Sequence, residues 1–504
     1  MEKDNKQQRK DTTPLPHREG QGESLQYIEL YQEAGNLIKS QSADVMNAVR
    51  DEAFADFQRL GFPSKKVERY KYTDVAPLFA PDYGLNLNRF HIPVDPYEAF
   101  RCDVPNLSTS LYFVVNDSFY RGEKKEERGE RREERGKWKE ERGERIHLRP
   151  SLPEGVIIES LSKVAAEKPE LVAKYYGKIA KTSEDGITAL NTMLAQDGLF
   201  VYVPRGVQVE RCIQVINILK SPFAGNQTSG SSRTNEGGLM VNRRVLIVVD
   251  EGASLKMLFC DHAADDCHFL TTQVVEAFVN DNAHLEFYCM EETHAKNVRV
   301  SNVYIEAQRN SRVNHNVITL HNGITRNKTD FVFNGEGAEC SLSGCVIADK
   351  KQHVDNNTLI DHKVGHCTST ELYKYVLDDQ AVGAFAGKVL VEHGAQKTSS
   401  QETNQNLCAS KTARMYTQPM LEIYADDVKC AHGSTVGQLN DQALFYMQQR
   451  GISIKEAKLL LEFAFINEVI DKMELIPLRD RLHYLVEQRF RGQLSKCAGC
   501  RLCK

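Results

Sequence analysis

DEGASLKM at residues 250–257, NDNAHLEF at 280–287, QRNSRVNH at 308–315 and GEGAECSL at 335–342 decide the fold. Each opens on polar turn residues, passes one small residue (Ala253, Ala283, Ser311, Ala338) and continues in alternation, and those small residues follow one another at steps of 30, 28 and 27. DDQAVGAF around Ala381, EHGAQKTS around Ala395 and ADDVKCAH around Val428 continue the series at less regular steps of 43, 14 and 33. Between the turns lie short β-branched and aromatic runs such as VLIVV (245–249), HLEFYCM (284–290) and VYIEA (303–307), which favour strands. Near-regular coils of short strands without intervening helices predict a β-solenoid over 151–437, each coil burying its inward face against the next. A β-sandwich is the alternative.

The flanks read differently. Residues 1–23 are polar, with Pro14, Pro16 and Gly20 and no apolar periodicity, and predict a disordered tail. A helical domain is expected over 24–110, because Val45, Val49, Ala53, Phe57 and Leu60 recur at three and four before Gly61 and Pro63. Asn116–Arg121 reads as a hairpin or loop. The stretch 122–145 packs 19 charged residues into 24 positions as EERGERR, EERGKWK and EERGERI. It has no apolar seam, and a glycine in each heptad costs about 1 kcal/mol in a helix, so it reads as a solvated insert. After Gly437 the strand pattern stops. Asn440 or Asp441 can cap a helix to Arg450, Ser453 with Glu456 forms a capping box for a second to about Ile470, and Pro477 opens a third. These make a helical domain over 438–490, ahead of a cysteine-containing tail, 491–504.

Composition narrows the function. The 504 residues, 41% hydrophobic, are enough for several folded units and a large core. A net charge of −5 gives no global positive field for nucleic acid or anionic lipid. The N-terminus has no apolar signal segment, and no run reaches the ~18 apolar residues of a membrane span, so a cytoplasmic protein without nucleic-acid or membrane partners is expected. Thirteen cysteines, an odd number in a long chain, suggest reduced thiols and metal or sulfur chemistry more than a disulfide framework. No GxxxxGK[ST], GxSxG, HExxH or helix-opening GxGxxG occurs, so nucleotide binding by this chain is not expected.

Four groupings could carry chemistry. Cys260, His262, Cys267 and His268 lie at metal-ligand spacings, but without a CxxC pair they read first as a polar turn with buried thiols. His362, His366 and Cys367 read first as another solenoid turn. Cys430 and His432 stand at i and i+2, so on a strand thiol and imidazole share a face and can hold a soft metal or carry sulfur; further ligands would have to come from elsewhere, an interface being a natural source. Cys497, Cys500 and Cys503 form CxxCxxC, part of an iron–sulfur or zinc motif lacking a fourth ligand.

Several segments together resemble the SufB/SufD family of iron–sulfur cluster assembly scaffolds: LGFPSKKVERYKYTD (60–74), GAQKTSSQETNQNLCAS (394–410), EIYADDVKCAHGSTVGQL (422–439) and ALFYMQQRGISIKEAKLLLEFAF (443–465). SufB-like chains carry an acid after the histidine, as in HEATTSK, whereas His432-Gly433-Ser434-Thr435-Val436-Gly437-Gln438 is similar to the SufD branch. The resemblance implies a right-handed parallel β-helix between helical terminal domains. It also implies a non-enzymatic scaffold subunit that pairs with a SufB-like subunit through the β-helix, docks a SufC-like ATPase on helices within 441–490 and handles a transient iron–sulfur cluster with its partner. In that frame Cys430 and His432 become the cluster- or sulfur-handling pair at the partner interface. The 122–145 insert and the CxxCxxC tail depart from the family pattern. The alternatives are a polysaccharide-active β-helix enzyme and a stand-alone metal-binding protein built on Cys497, Cys500 and Cys503.

Overall fold

The computed structural model describes residues 21–96, 109–120, 152–222 and 238–492. Most of the expected 1–23 tail, the 122–145 insert and the CxxCxxC tail with Cys497, Cys500 and Cys503 lie outside those residues. From Gly198 onward the chain winds as a parallel β-solenoid, laying successive strands alternately into two sheets of ten and nine strands. Each strand pairs in register with the strand one coil earlier, as in Met257↔Phe287, Phe287↔His315 and His315↔Leu342. The period is set at the corners. Ala253, Ala283, Ser311, Ala338, Cys367 and Thr398 stack directly before paired strands, each 1% exposed or less. Gly252, Asn282, Asn310, Gly337, His366 and Lys397 precede them with positive φ, the left-handed turn that favours Gly and Asn.

That stack corrects the irregular tail of the predicted repeat. Ala381 precedes the strand Val382–Val391 of the other sheet, and Ala395 lies three residues short of the corner at Thr398. The corners at Cys367 and Thr398 escape notice because His366 and Lys397, not Gly or Asn, supply their left-handed turns. With them restored the steps run from 27 to 31 residues.

Helices cover the outside of both sheets. On the nine-stranded sheet, Ile187, Leu190 and Met193 of the helix Gly186–Leu194 pack with Tyr27, Phe57 and Phe79 against Met240, Leu270 and Val300. Nearby, Leu161, Val164 and Val172 meet Phe200, Leu246 and Phe278. The helices Leu161–Glu167, Pro169–Ala173 and Gly186–Leu194 fall inside the stretch read as β-solenoid; every residue of the last is buried, so period 3.6 left no polar stripe to betray it. The family segment 60–74 is the strap between helices and sheet: Arg69 donates to Asp330 and Asn357 at 2.6 Å each, Tyr70 to Asp185 at 2.7 Å and Thr73 to Asp355 at 2.6 Å. Thr109–Val115, at the end of the stretch read as helical domain, instead adds a strand parallel to Cys212–Leu219 and turns back at Asn116 into Ser118–Tyr120.

On the ten-stranded sheet, the C-terminal helices Ile454–Ile470 and Ile476–Phe490 lay Ile466, Val469, Leu478, Leu482 and Val486 over Leu258, Tyr288, Ile318, Ile347 and Val376. Arg489 ties them down, donating to Leu320 O at 2.6 Å and Asp349 at 2.8 Å. These helices therefore line the flank of the solenoid and leave its last coil uncapped: in the strands Arg414–Ile423 and Lys429–Gly437 no residue is fully buried. Among the described residues no helix is long and apolar enough to cross a membrane.

Candidate functional site

The last coil is the end of both sheets. Its strands Arg414–Ile423 and Lys429–Gly437 each pair on one side only, leaving a row of unsatisfied N–H and C=O groups along the other. Cys430 pairs with Ser400 and His432 with Glu402, and both partners are buried. Strand alternation therefore puts Cys430, His432 and Ser434 on the inward side, at the mouth of the solenoid. Cys430 is half-buried against the central core. Burial pushes its thiol up, and the backbone N–H of Ser400 pulls it partly back. His432 is exposed. Thiol and imidazole thus stand side by side on one face, with solvent in front and a protein interior behind.

That interior is polar. Ser369 donates to Ser400 at 2.8 Å, and the ring Nε2 of His362 lies 3.0 Å from Ser369 Oγ, so a hydroxyl chain runs along the inward file that ends at Cys430. Beside it, the Thr417 hydroxyl donates to Asn404 Oδ1 at 2.8 Å and lies 2.7 Å from the Ser434 hydroxyl, while Asn406 donates to Asn404 at 2.5 Å and to Thr435 O at 2.9 Å. Between the two files stand Glu371 and Glu402. Of these neighbours only His362 was a sequence candidate, and in a different grouping. The alternation that would have placed them is blank in SSQETNQN (399–406), where all eight residues are polar and neither face stands out.

The other sequence groupings separate. Cys260 is buried under the C-terminal helices and Cys267 packs in the cluster of Phe269, which starts a strand of the other sheet. His362 is buried and stacked on Phe333 at 4.4 Å, held neutral by burial; His366 forms an exposed corner, and Cys367 fills the corner beneath it, its thiol 3.4 Å from Gly365 O. None of the nine described cysteines is in a disulfide. Among the described residues, His284, Glu286 and Glu474 form the one group of three metal-type side chains with donor atoms within 4.8 Å of one another. Its charges are already engaged: Lys256 pairs with Glu286 at 3.2 Å, Tyr288 donates to Glu286 at 2.7 Å and Asn314 to Glu474 at 2.9 Å. It fastens the C-terminal helices to the sheet.

Comparison with known proteins reaches nearly the whole described chain. Residues 232–465 match the model of the SUF system FeS cluster assembly, SufBD core domain, and residues 21–215 that of the SufBD protein N-terminal region. An iron–sulfur cluster assembly SufBD family protein of Synechocystis sp. is 25% identical over 88% of each chain. The iron–sulfur cluster assembly protein SufD of Escherichia coli is 28% identical over 60% of this chain and 69% of its own, and that of Bacillus subtilis 26% identical over 67% and 74%.

Proposed function

We propose that this chain, which belongs to the SufBD family of iron–sulfur cluster assembly proteins, is a SufD-like, non-enzymatic scaffold subunit of a cytoplasmic SUF-type assembly complex. The observation that carries the reading is the mouth of the solenoid, where Cys430 and His432 share the inward side of an edge strand that has no neighbour on its outer side. A second β-solenoid with a matching edge can continue the sheets there. Its residues would then face Cys430 and His432 across the seam, completing a ligand set that two side chains cannot supply alone. The transient iron–sulfur cluster is the cargo of that seam, shared with the SufB-like subunit.

The docking surface for the SufC-like ATPase is the outward side of the C-terminal helices. Phe445 and Tyr446 are 62% and 60% exposed and Ile476 56%, large apolar groups left uncovered on the C-terminal helical unit. Removing 438–490 would strip that sheet, so single substitutions are the cleaner probe. The test of the main reading is the His432→Ala chain, co-expressed with SufB-like and SufC-like partners. Complex formation should persist, and iron and acid-labile sulfide per complex should fall. Unchanged cluster content would remove the assignment.

A further inference from the structure

Strand alternation turns His284 and Glu286 of the strand His284–Glu292 to the outer face of the ten-stranded sheet, where Tyr288 and Met290 of the same strand pack under the C-terminal helices. Glu286 sits in register between Lys256 and Asn314, its side chain 1% exposed. Glu474 reaches the same spot from the link between the helices Ile454–Ile470 and Ile476–Phe490. Its neighbours Met473 and Leu475 are both buried in the cluster beneath those helices, which pins the link over the sheet. The contacts already described hold one oxygen of each carboxylate, Tyr288 donating to Glu286 Oε2 and Asn314 to Glu474 Oε1, as outer neighbours orient a metal's ligands. Two donors are left over: Glu286 Oε1 and His284 Nε2 are buried without a hydrogen-bond partner. Lys256 Nζ stands 3.2 Å from Glu286 Oε1 as an ion pair, on a side chain 37% exposed, and balances one of the two carboxylate charges. Arg312, in register with His284, is paired with Glu339 at 3.3 Å. Burial holds the His284 imidazole below its ordinary range, so at neutral pH it is uncharged and offers a lone pair.

We infer that His284, Glu286 and Glu474 form a binding site for a divalent metal ion, which clamps the link between the last two helices to the ten-stranded sheet. One donor atom from each lies within 4.8 Å of the other two. An ion with bonds of roughly 2.1 Å spans opposed donors about 4.2 Å apart, so a small movement of Glu474, which is exposed, closes the site. Imidazole with carboxylates suits Mn2+ and Zn2+. A doubly charged ion between two carboxylates leaves the group neutral and releases the Lys256 ammonium to water. The site is separate from the mouth of the solenoid, since Cys430 and His432 belong to the last coil and His284 and Glu286 to an early one. It belongs to this chain alone and does not depend on the assembly role.

The experiment uses the full chain, freed of metal with a chelator and titrated with Mn2+, the free ion being read by electron paramagnetic resonance. The wild type should take up Mn2+ at a site that Glu474→Gln weakens at least about tenfold, the scale of disturbing a metal's ligand sphere, and His284→Gln should do the same. Lys256→Gln should tighten it, because the ammonium that competes for Glu286 is gone. Cys430→Ala with His432→Ala should leave it unchanged. Zn2+, the tighter binder on nitrogen and oxygen donors, should displace the bound Mn2+. Bound Mn2+ should also slow hydrogen exchange across 471–490 in the wild type and not in Glu474→Gln, the mark of a clamp on that unit. The inference is overturned by a wild type that takes up no Mn2+, by wild-type affinity in folded Glu474→Gln, by loss of uptake in the Cys430→Ala, His432→Ala chain, by bound Mn2+ that Zn2+ does not displace, or by exchange across 471–490 that bound Mn2+ leaves untouched. If Glu474→Gln does not fold, the opposite signs expected of His284→Gln and Lys256→Gln decide.

Discussion

The two halves of the solenoid share one backbone plan and fill the middle of each coil differently. At matching register positions the early coils turn Leu255, Met257 and Phe259, then Leu285, Phe287 and Cys289, into the core. The late coils turn in Ser400, Glu402 and Asn404, then Cys430, His432 and Ser434. At those positions the early interior is held by packing, Phe287 stacking on His315 at 4.9 Å and meeting Phe259 edge-on at 5.0 Å, while farther along the same coils Asp261 is ion-paired in the interior with Arg243 at 2.6 Å and Arg299 at 3.1 Å. The late interior is held by hydroxyl and amide hydrogen bonds and contains carboxyls without partners. Corners and strand pairing are enough to specify a coil; what fills it is free to vary along the solenoid.

The comparison can be broken most directly by truncating one side chain in each half. Phe287→Ala should cost about 3–5 kcal/mol, the range for a buried Phe that leaves a cavity, whereas Asn404→Ala should cost about 1–3 kcal/mol, the desolvation left with its orphaned partners. Denaturant unfolding of both variants checks the order, and equal losses would mean the late interior is packed as tightly as the early one.

The pH dependence sharpens the same contrast. Glu371 and Glu402 carry pKa values above their ordinary 4.5, chiefly through burial. The folded state therefore holds protons that the unfolded state has released. Their contribution to stability is complete below about pH 4.5 and is lost as pH rises through neutrality, on the order of 1 kcal/mol per unit of pKa difference. In metal-free protein, Glu371→Gln with Glu402→Gln should flatten that decline. A wild-type profile from pH 5 to 8 identical to the double variant's would show that the carboxyls are not desolvated.

The smallest effects on folding belong to exposed positions. Phe445→Ala with Tyr446→Ala should change stability by no more than about 0.5 kcal/mol, since both are exposed, yet should reduce co-purification of the SufC-like ATPase. Val436→Lys, on the open edge strand and 51% exposed, should likewise leave the fold intact while blocking pairing with the SufB-like subunit, because charge on an edge opposes strand addition. Retained assembly in either variant would move the corresponding interface elsewhere.

The solenoid was legible wherever a corner carried Gly or Asn ahead of a small residue, as at Ala253, Ala283, Ser311 and Ala338, because the left-handed turn demands those residues. It was illegible at Cys367 and Thr398, where His366 and Lys397 adopt the same conformation without announcing it. The C-terminal helices were readable from Asn440 and Ser453, whose side-chain caps form, and from Pro477 in the first turn of the last helix; their place along the flank was not, since it depends on the apolar outer face of a sheet assembled from strands far apart in the chain. Cys430 and His432 could be paired by alternation on a single strand. Glu371 and Glu402 could not be joined to them, because three coils have to stack before those positions become neighbours.

The central claim is that the mouth of the solenoid is where this chain handles its iron–sulfur cargo. It is tested most directly by iron and acid-labile sulfide per complex in the His432→Ala assembly, measured beside its melting temperature. The account predicts a sharp fall in both iron and sulfide at an unchanged melting temperature, because His432 is exposed and supplies little packing. Wild-type iron and sulfide in that complex would contradict it.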